Sequence, residues 1–133
     1  TEWFEQLMKA APCEVQYKGS VAYDQSVAVI KNYFALLFPT QYFTEGIPGT
    51  IIDAYAAGVP VISSKWAGFS DVIHEGITGV GYSFGALNEL VEVLIRLVDN
   101  PETMIEMKKS CLEESKKYEL ETVVRDLLNH LKV

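Results

Sequence analysis

Two carboxylates stand on either side of a glycine- and proline-rich turn in the stretch Glu45-Gly46-Ile47-Pro48-Gly49-Thr50-Ile51-Ile52-Asp53. Such a turn, followed by an apolar run rich in small residues up to Ala57, reads as the entry to a helix. The free backbone N–H groups of a helix N-terminus, with the helix dipole, suit a phosphate or pyrophosphate, and glycine lets the anion approach the backbone. Asp53, within the first turn or so, is placed to accept hydrogen bonds from vicinal hydroxyls, as acidic residues do for ribose. Glu45, on the loop, reaches a different part of the same ligand. Each acid also has a plainer role open to it: Asp53 can simply favour the helix N-terminus, and Glu45 can be a solvated loop charge.

Other groups with chemical potential are fewer. Gly68, Ser70 and Asp71 form a second loop-to-helix entry, for which a tight turn with an N-cap is the simpler reading. His74, beside Glu75-Gly76, suits an exposed cation at a helix end, and His130 lies in the last helix between Leu128 and Leu131. Neither has the spacing of a metal site or a nucleophilic triad. Lys65 and Trp66 can meet an anion or a ring, or can be a surface lysine and a partly buried tryptophan. No Gly-x-x-x-x-Gly-Lys-Ser/Thr or Gly-x-Gly-x-x-Gly pattern occurs, which removes the best support for ATPase and ordinary dinucleotide-binding readings.

Positioning these groups requires a scaffold, and alternating short strands and helices supply one. Thr1 to Ala11 reads as a helix ended by Pro12, and Glu14 to Lys18 alternates polar and apolar residues as an edge strand does. A helix starting at Asp24 or Ser26 turns Val27, Ile30, Tyr33 and Phe34 to the sheet, and Ala35 to Phe38 is the next strand. The helix after the acidic turn stops at Gly58, followed by a strand from Val59 to Ser63. A short helix from Asp71 to Glu75, capped by Ser70, and a glycine-interrupted strand from Gly79 to Phe84 follow. The amphipathic helix Ala86 to Val98 sets Leu87, Leu90, Val91, Leu94, Ile95 and Val98 on one side. After Asn100-Pro101, residues 101–133 are trailing helices, with Met104, Met107 and Cys111 and then Leu120 to Leu131 as apolar stripes. The pattern predicts an α/β domain, a parallel sheet wrapped by helices. In such sheets ligands bind outside the carboxyl ends of the strands, where most of the polar punctuation of this chain falls.

With 133 residues, 49% of them apolar, the chain suffices for a single buried core. Its net charge of −7, from 18 acidic against 11 basic residues, argues against nucleic acid or an anionic membrane surface as partner. Cys13 and Cys111 are far apart and free of metal-like spacing, which points to two free thiols in a reducing compartment. No run approaches a spanning helix, and Glu2 and Glu5 stand where a signal peptide would be basic. The expected location is the cytoplasm, peripheral to the inner membrane only through a domain outside these residues.

Taken together, five pieces resemble the donor-binding half of retaining nucleotide-sugar glycosyltransferases of family 4, also called group 1. They are Pro39-Thr40, Glu45 to Pro48, Asp53 to Ile62, Ala67 to Ile73 and Glu75 to Gly79, and their order and gaps agree over about Val15 to Asn100. The resemblance implies a Rossmann-like sheet in the C-terminal half of a two-domain GT-B-type enzyme. It also implies transfer of a hexosyl group to a hydroxyl acceptor that is a sugar, a lipid-linked acceptor or a glycan, with no cofactor and no protein-bound metal. Glu45, as the catalytic-site residue, would touch the donor sugar with the amides of Gly46 and Ile47. The amides of Gly49, Thr50 and Ile51 would serve the diphosphate, and Asp53 the ribose. Asp53 replaces the family's commoner Glu, Ala67-Gly68 stands for Gly-Gly, and Asp71 stands for Glu.

By the same resemblance, residues 1–133 are one partial donor-binding domain without an acceptor domain. In the family's strand order 3-2-1-4-5-6, strands 1 and 2 would be missing, with the Arg and Lys that neutralise the diphosphate. Glu14 to Lys18 is then expected to pair beside Ala35 to Phe38 or with another chain, a homodimer through the exposed edge being one form. The isolated chain is expected to be inactive. The competing readings are a non-enzymatic nucleotide- or sugar-binding module and a nucleotide-sugar epimerase.

Overall fold

The structure is a computed structural model that describes residues 2–131; Thr1, Lys132 and Val133, the ends of the first and last expected helices, lie outside the described residues. Three parallel strands, β1 (Leu36–Phe38), β2 (Val61–Ser64) and β3 (Gly79–Tyr82), form a sheet in the order β1-β2-β3. Helix α1 (Glu2–Ala10), a 3-10 turn (Tyr23–Gln25) and α2 (Ser26–Ile30) precede the sheet. Helix α3 (Gly49–Ala56) joins β1 to β2, and α4 (Phe69–Val72) joins β2 to β3. After β3 come α5 (Leu87–Asp99), α6 (Pro101–Ser115), a second 3-10 turn (Lys116–Tyr118) and α7 (Leu120–Leu131). The parallel α/β architecture read from the sequence is therefore the one found.

Because β2 is central, its side chains are buried on both faces, as expected for a parallel strand covered by crossover helices. Val61 belongs to a core with Ile51, Ala54 and Tyr55 of α3, Phe69 and Val72 of α4, and Cys111 of α6. Ile62 points the other way, to Val80 and Tyr82 of β3, Val93 and Leu97 of α5, and Met104 and Met107 of α6. Helix α6 thus serves both cores, its first half one and its second half the other. Gly58 ends α3 with a left-handed φ of +66°, its Cα facing the Leu112 side chain of α6.

A buried polar knot ties α3 to the approach to β3. The Tyr55 hydroxyl donates to the Val72 carbonyl at 2.8 Å and lies 3.0 Å from Thr78 Oγ1, which accepts the His74 N–H at 3.0 Å. Burial pushes the Tyr55 phenol above its ordinary value. The Cys111 thiol, 3.4 Å from the Thr78 carbonyl, is pushed up to about 12, first by burial and then by the Glu114 charge.

The two sheet edges differ. Along the outside of β3, the Gly81 N–H donates to the Glu75 carboxylate at 3.2 Å and the Gly79 carbonyl accepts the Gly76 N–H at 2.8 Å. Lys65 Nζ reaches Glu75 at 3.3 Å, so this edge is closed by its own loop and an ion pair. Among the described residues no strand lies on the far side of β1, and Leu37 on it is 47% exposed.

Several expectations are corrected here. Glu14 to Lys18 is not a strand: it pairs neither with β1 nor with another strand among the described residues, and Val15 and Tyr17 are exposed. The alternation is present, but a strand exists only with a neighbour to hydrogen-bond, and Tyr17 packs edge-on against Phe4 of α1 at 4.8 Å instead. Helix α2 stops at Ile30, so Tyr33 and Phe34 lie beyond it and are exposed. Helix α4 spans Phe69–Val72 with Gly68 as its N-cap, which leaves Ser70 inside the helix and not at its cap. Helix α5 buries Val93 and Leu97, while Leu87, Val91, Ile95 and Val98 of the expected core face are exposed.

Candidate functional site

The loop after β1 ends in Pro48, the extended N-cap of α3, and Gly49 opens that helix. Gly46, Ile47, Gly49 and Thr50 are exposed, and Glu45 and Asp53 are half-buried. The Ile51 N–H donates to the Pro48 carbonyl at 3.0 Å, and the Ile51 side chain is in the core. The amides of Gly49 and Thr50 take no partner among the described residues and are the free donors at this helix start. Glycine at 46 and 49 leaves open space where a Cβ would be, so an anion can approach the backbone there.

Glu45 is held from the β1 side. Thr40 Oγ1 donates to Glu45 Oε2 at 3.0 Å and accepts the Tyr42 N–H at 3.1 Å. The Glu45 N–H donates to the Tyr42 carbonyl at 3.2 Å, which closes the turn. Buried serines of β2 fix the base of this loop: Ser63 Oγ donates to the Phe38 carbonyl and Ser64 Oγ to the Thr40 carbonyl, each at 2.7 Å. On the neighbouring loop, the Ala67 N–H donates to the Phe43 carbonyl at 2.9 Å. Asp53 is held from α2, with Ser26 Oγ 2.5 Å from Asp53 Oδ2.

The second loop-to-helix entry serves packing. Trp66 is buried between Phe38 and Phe69, with its indole Nε1 unpaired under Gly68. Lys65, open in sequence to an anion or a ring, engages Glu75 and lies 5.9 Å from the Phe69 ring centre. His74 is half-buried at 3.3 Å from Glu114, and His130 Nδ1 lies 2.8 Å from the Asp126 carbonyl. Among the described residues, no three His, Cys, Asp or Glu side chains gather as a metal site. No described helix is long and apolar enough to cross a membrane.

A cleft of about 330 Å³ lies at the carboxyl ends of the strands, lined by Thr40, Ser64, Tyr82, Phe84 and Leu87. A wider one of about 640 Å³, lined by Thr78, Leu112 and Glu114, lies at the opposite end of the sheet. Neither of these two is lined by Glu45 or Asp53.

The fold is that of part of GT-B glycosyltransferases. The chain superposes on Anabaena Alr3699/HepE, solved in complex with UDP-glucose, with a TM-score of 0.82 and 16% identity, covering 98% of this chain and 35% of that one. On TarM the TM-score is 0.78 at 21% identity, with 99% and 26% covered. In sequence, residues 2–118 match the glycosyl transferases group 1 family, and the chain belongs to that family. Its relatives include a lipopolysaccharide 1,6-galactosyltransferase of Salmonella typhimurium, 39% identical over 70 residues, 52% of this chain and 19% of that protein. The sulfoquinovosyl transferase SQD2 of Arabidopsis thaliana is 24% identical over 131 residues, 96% of this chain. The chain thus spans 19% and 25% of the lengths of these two relatives.

The sequence offered Glu45, Asp53 and the turn between them as candidates. It did not identify the groups that hold them. Ser26 was visible only as a possible helix start and Thr40 only as part of the Pro39-Thr40 piece, because their bonds to Asp53 and Glu45 depend on how α2 meets α3 and how the loop folds back.

Proposed function

We propose that this chain binds the nucleoside-diphosphate-sugar donor of a larger retaining glycosyltransferase, which transfers a hexosyl group to a hydroxyl acceptor. The single observation that carries the reading is the pairing of two half-buried carboxylates around a helix start with free amides, at the carboxyl end of β1. Membership of the family and the UDP-glucose carried by HepE point the same way. Glu45, with Gly46 and Ile47, contacts the donor sugar. The amides of Gly49 and Thr50 face the diphosphate, whereas the Ile51 amide expected beside them is taken by the Pro48 carbonyl, and Asp53 accepts the ribose hydroxyls. Catalysis is chiefly positioning, with electrostatic stabilisation of the departing diphosphate and an oxocarbenium-like sugar.

These residues form one wall of a site. The acceptor-binding domain and the rest of the donor sheet belong to parts of the parent outside this chain, and the chain alone is inactive. The open edge of β1 is where the remaining sheet, or in its absence a second copy, pairs. The test is a thermal-shift panel of UDP-, GDP- and ADP-glucose on the wild-type chain, Glu45→Ala and Asp53→Ala. One nucleotide sugar is expected to stabilise the wild type and to lose most of that effect with either variant. If no donor stabilises the wild type, or if both variants respond as it does, the donor-site reading fails.

A further inference from the structure

We infer that Thr40 and Ser26 are positioning residues, each of which fixes one oxygen of a donor-facing carboxylate and leaves the other for the ligand. The inference rests on the donor-site reading above and divides it into two separately held halves.

The Thr40 hydroxyl has one hydrogen to give. Its oxygen accepts the Tyr42 N–H at 3.1 Å, and its hydrogen goes to Glu45 Oε2 at 3.0 Å. Thr40 is itself anchored, because its carbonyl accepts from Ser64 Oγ at 2.7 Å and Ser64 is only 1% exposed. A rigid central strand therefore sets the position of a loop carboxylate through two hydroxyls in series. Glu45 Oε1 takes no hydrogen bond from the described residues, so it is the oxygen that faces a sugar hydroxyl.

Ser26 repeats the logic from a different element. Its Oγ lies 2.5 Å from Asp53 Oδ2 and 3.1 Å from the Tyr23 carbonyl, yet it carries a single hydrogen. The charged and nearer acceptor takes it, since hydrogen bonds to a carboxylate are shorter and stronger than those to a neutral carbonyl. Asp53 Oδ1 is again without a partner among the described residues. Aspartate has one torsion fewer than glutamate, so this one bond fixes its rotamer. Ser26 thereby holds the shorter acid in place and presents Oδ1 to the ribose diol.

Because the two hydroxyls act on opposite halves of one ligand, they make a prediction that general destabilisation does not. Saturation-transfer difference NMR on the full chain with UDP-glucose, with GDP- and ADP-glucose run beside it, reads each half separately. Thr40→Val is expected to lower the hexose proton signals severalfold relative to the ribose signals, and Thr40→Ser to restore them. Ser26→Ala is expected to lower the ribose signals relative to the hexose signals. Each loss should weaken overall affinity about 2- to 10-fold, the worth of one hydrogen bond. If Thr40→Val does not fold, Thr40→Ala removes the same hydroxyl without adding bulk and carries the same expectation. A wild-type chain that binds none of the three donors overturns the donor-site reading and this inference with it. A wild type that binds, with hexose-to-ribose ratios unchanged in the variants, overturns the inference alone.

Discussion

Replacing Tyr55 with phenylalanine isolates the polar knot that joins α3 to β3. The ring stays in its core and no cavity larger than one oxygen is made, so what is lost is the hydroxyl's bond to the Val72 carbonyl and its link to Thr78. Each buried group left unpaired costs about 1–3 kcal/mol. With the phenol hydrogen on the Val72 carbonyl, Thr78 is the donor to the Tyr55 oxygen, so the Val72 carbonyl and the Thr78 O–H are the two groups left; at about 1 kcal/mol each, with Thr78 still accepting the His74 N–H, the expected total is about 2 kcal/mol. Urea unfolding near neutral pH should show a lower midpoint with an unchanged slope. The pH dependence follows from the same group. Burial raises the folded phenol above its ordinary value of 10.0, so the unfolded chain ionises first. This contribution to wild-type stability is fully present below about pH 10 and is lost as pH rises toward the folded value, by about 1.4 kcal/mol per pH unit. Tyr55→Phe has no phenol to ionise, so the gap between the two proteins should close by about pH 11.5. A loss at neutral pH below about 0.5 kcal/mol, or a gap that stays constant from pH 8 to 11.5, would refute this account of the knot.

Further outcomes can be checked on the same protein. Alanine at Gly79 would drive its Cβ into the backbone carbonyl of Val61, which cannot swing aside as a side chain can, so Gly79→Ala should cost about 3 kcal/mol in a urea melt. An unchanged midpoint would mean that the strands are less tightly paired than described. Of the two thiols, Cys13 is exposed and Cys111 buried with its thiol pushed up to about 12, so a thiol reagent at pH 8 should label one cysteine in the folded chain and both in denaturant. Labelling of Cys111 in the native chain would show that α6 leaves the core readily. The donor panel and the split NMR signals complete the set.

Local chemistry was legible in the sequence, and pairing at a distance was not. The turn from Glu45 to Gly49 announces itself through glycine, proline and acid, whose roles are decided within a few residues, and α3 begins at Gly49. Gly58 as the helix stop, with its positive φ, is another such case. Glu14 to Lys18 shows the limit. Its alternation fits a strand, yet a strand is a relation between two segments, and among the described residues this one leaves the open edge of β1 unpaired and packs Tyr17 on Phe4 instead. Helix α5 shows another limit: it is apolar around more of its circumference than one contact face needs. Periodicity found the helix but could not say that Val93 and Leu97, rather than Leu87 and Val91, meet the sheet. Ser26 and Thr40 were beyond reach for a related reason: nothing in a hydroxyl's local sequence says which carboxylate, 27 or 5 residues away, it will meet.

The unequal edges of the sheet limit how copies of this chain can join. Glu75 and Gly76 engage the outward Gly81 N–H and Gly79 carbonyl of β3, so among the described residues β1 is the edge left open to a new strand. Two copies meeting there across a two-fold axis would run their β1 strands antiparallel and leave a blocked β3 at each end of the combined sheet. Association through strand edges therefore closes at a pair. Head-to-tail growth into a fibre needs two compatible edges, and this chain offers one.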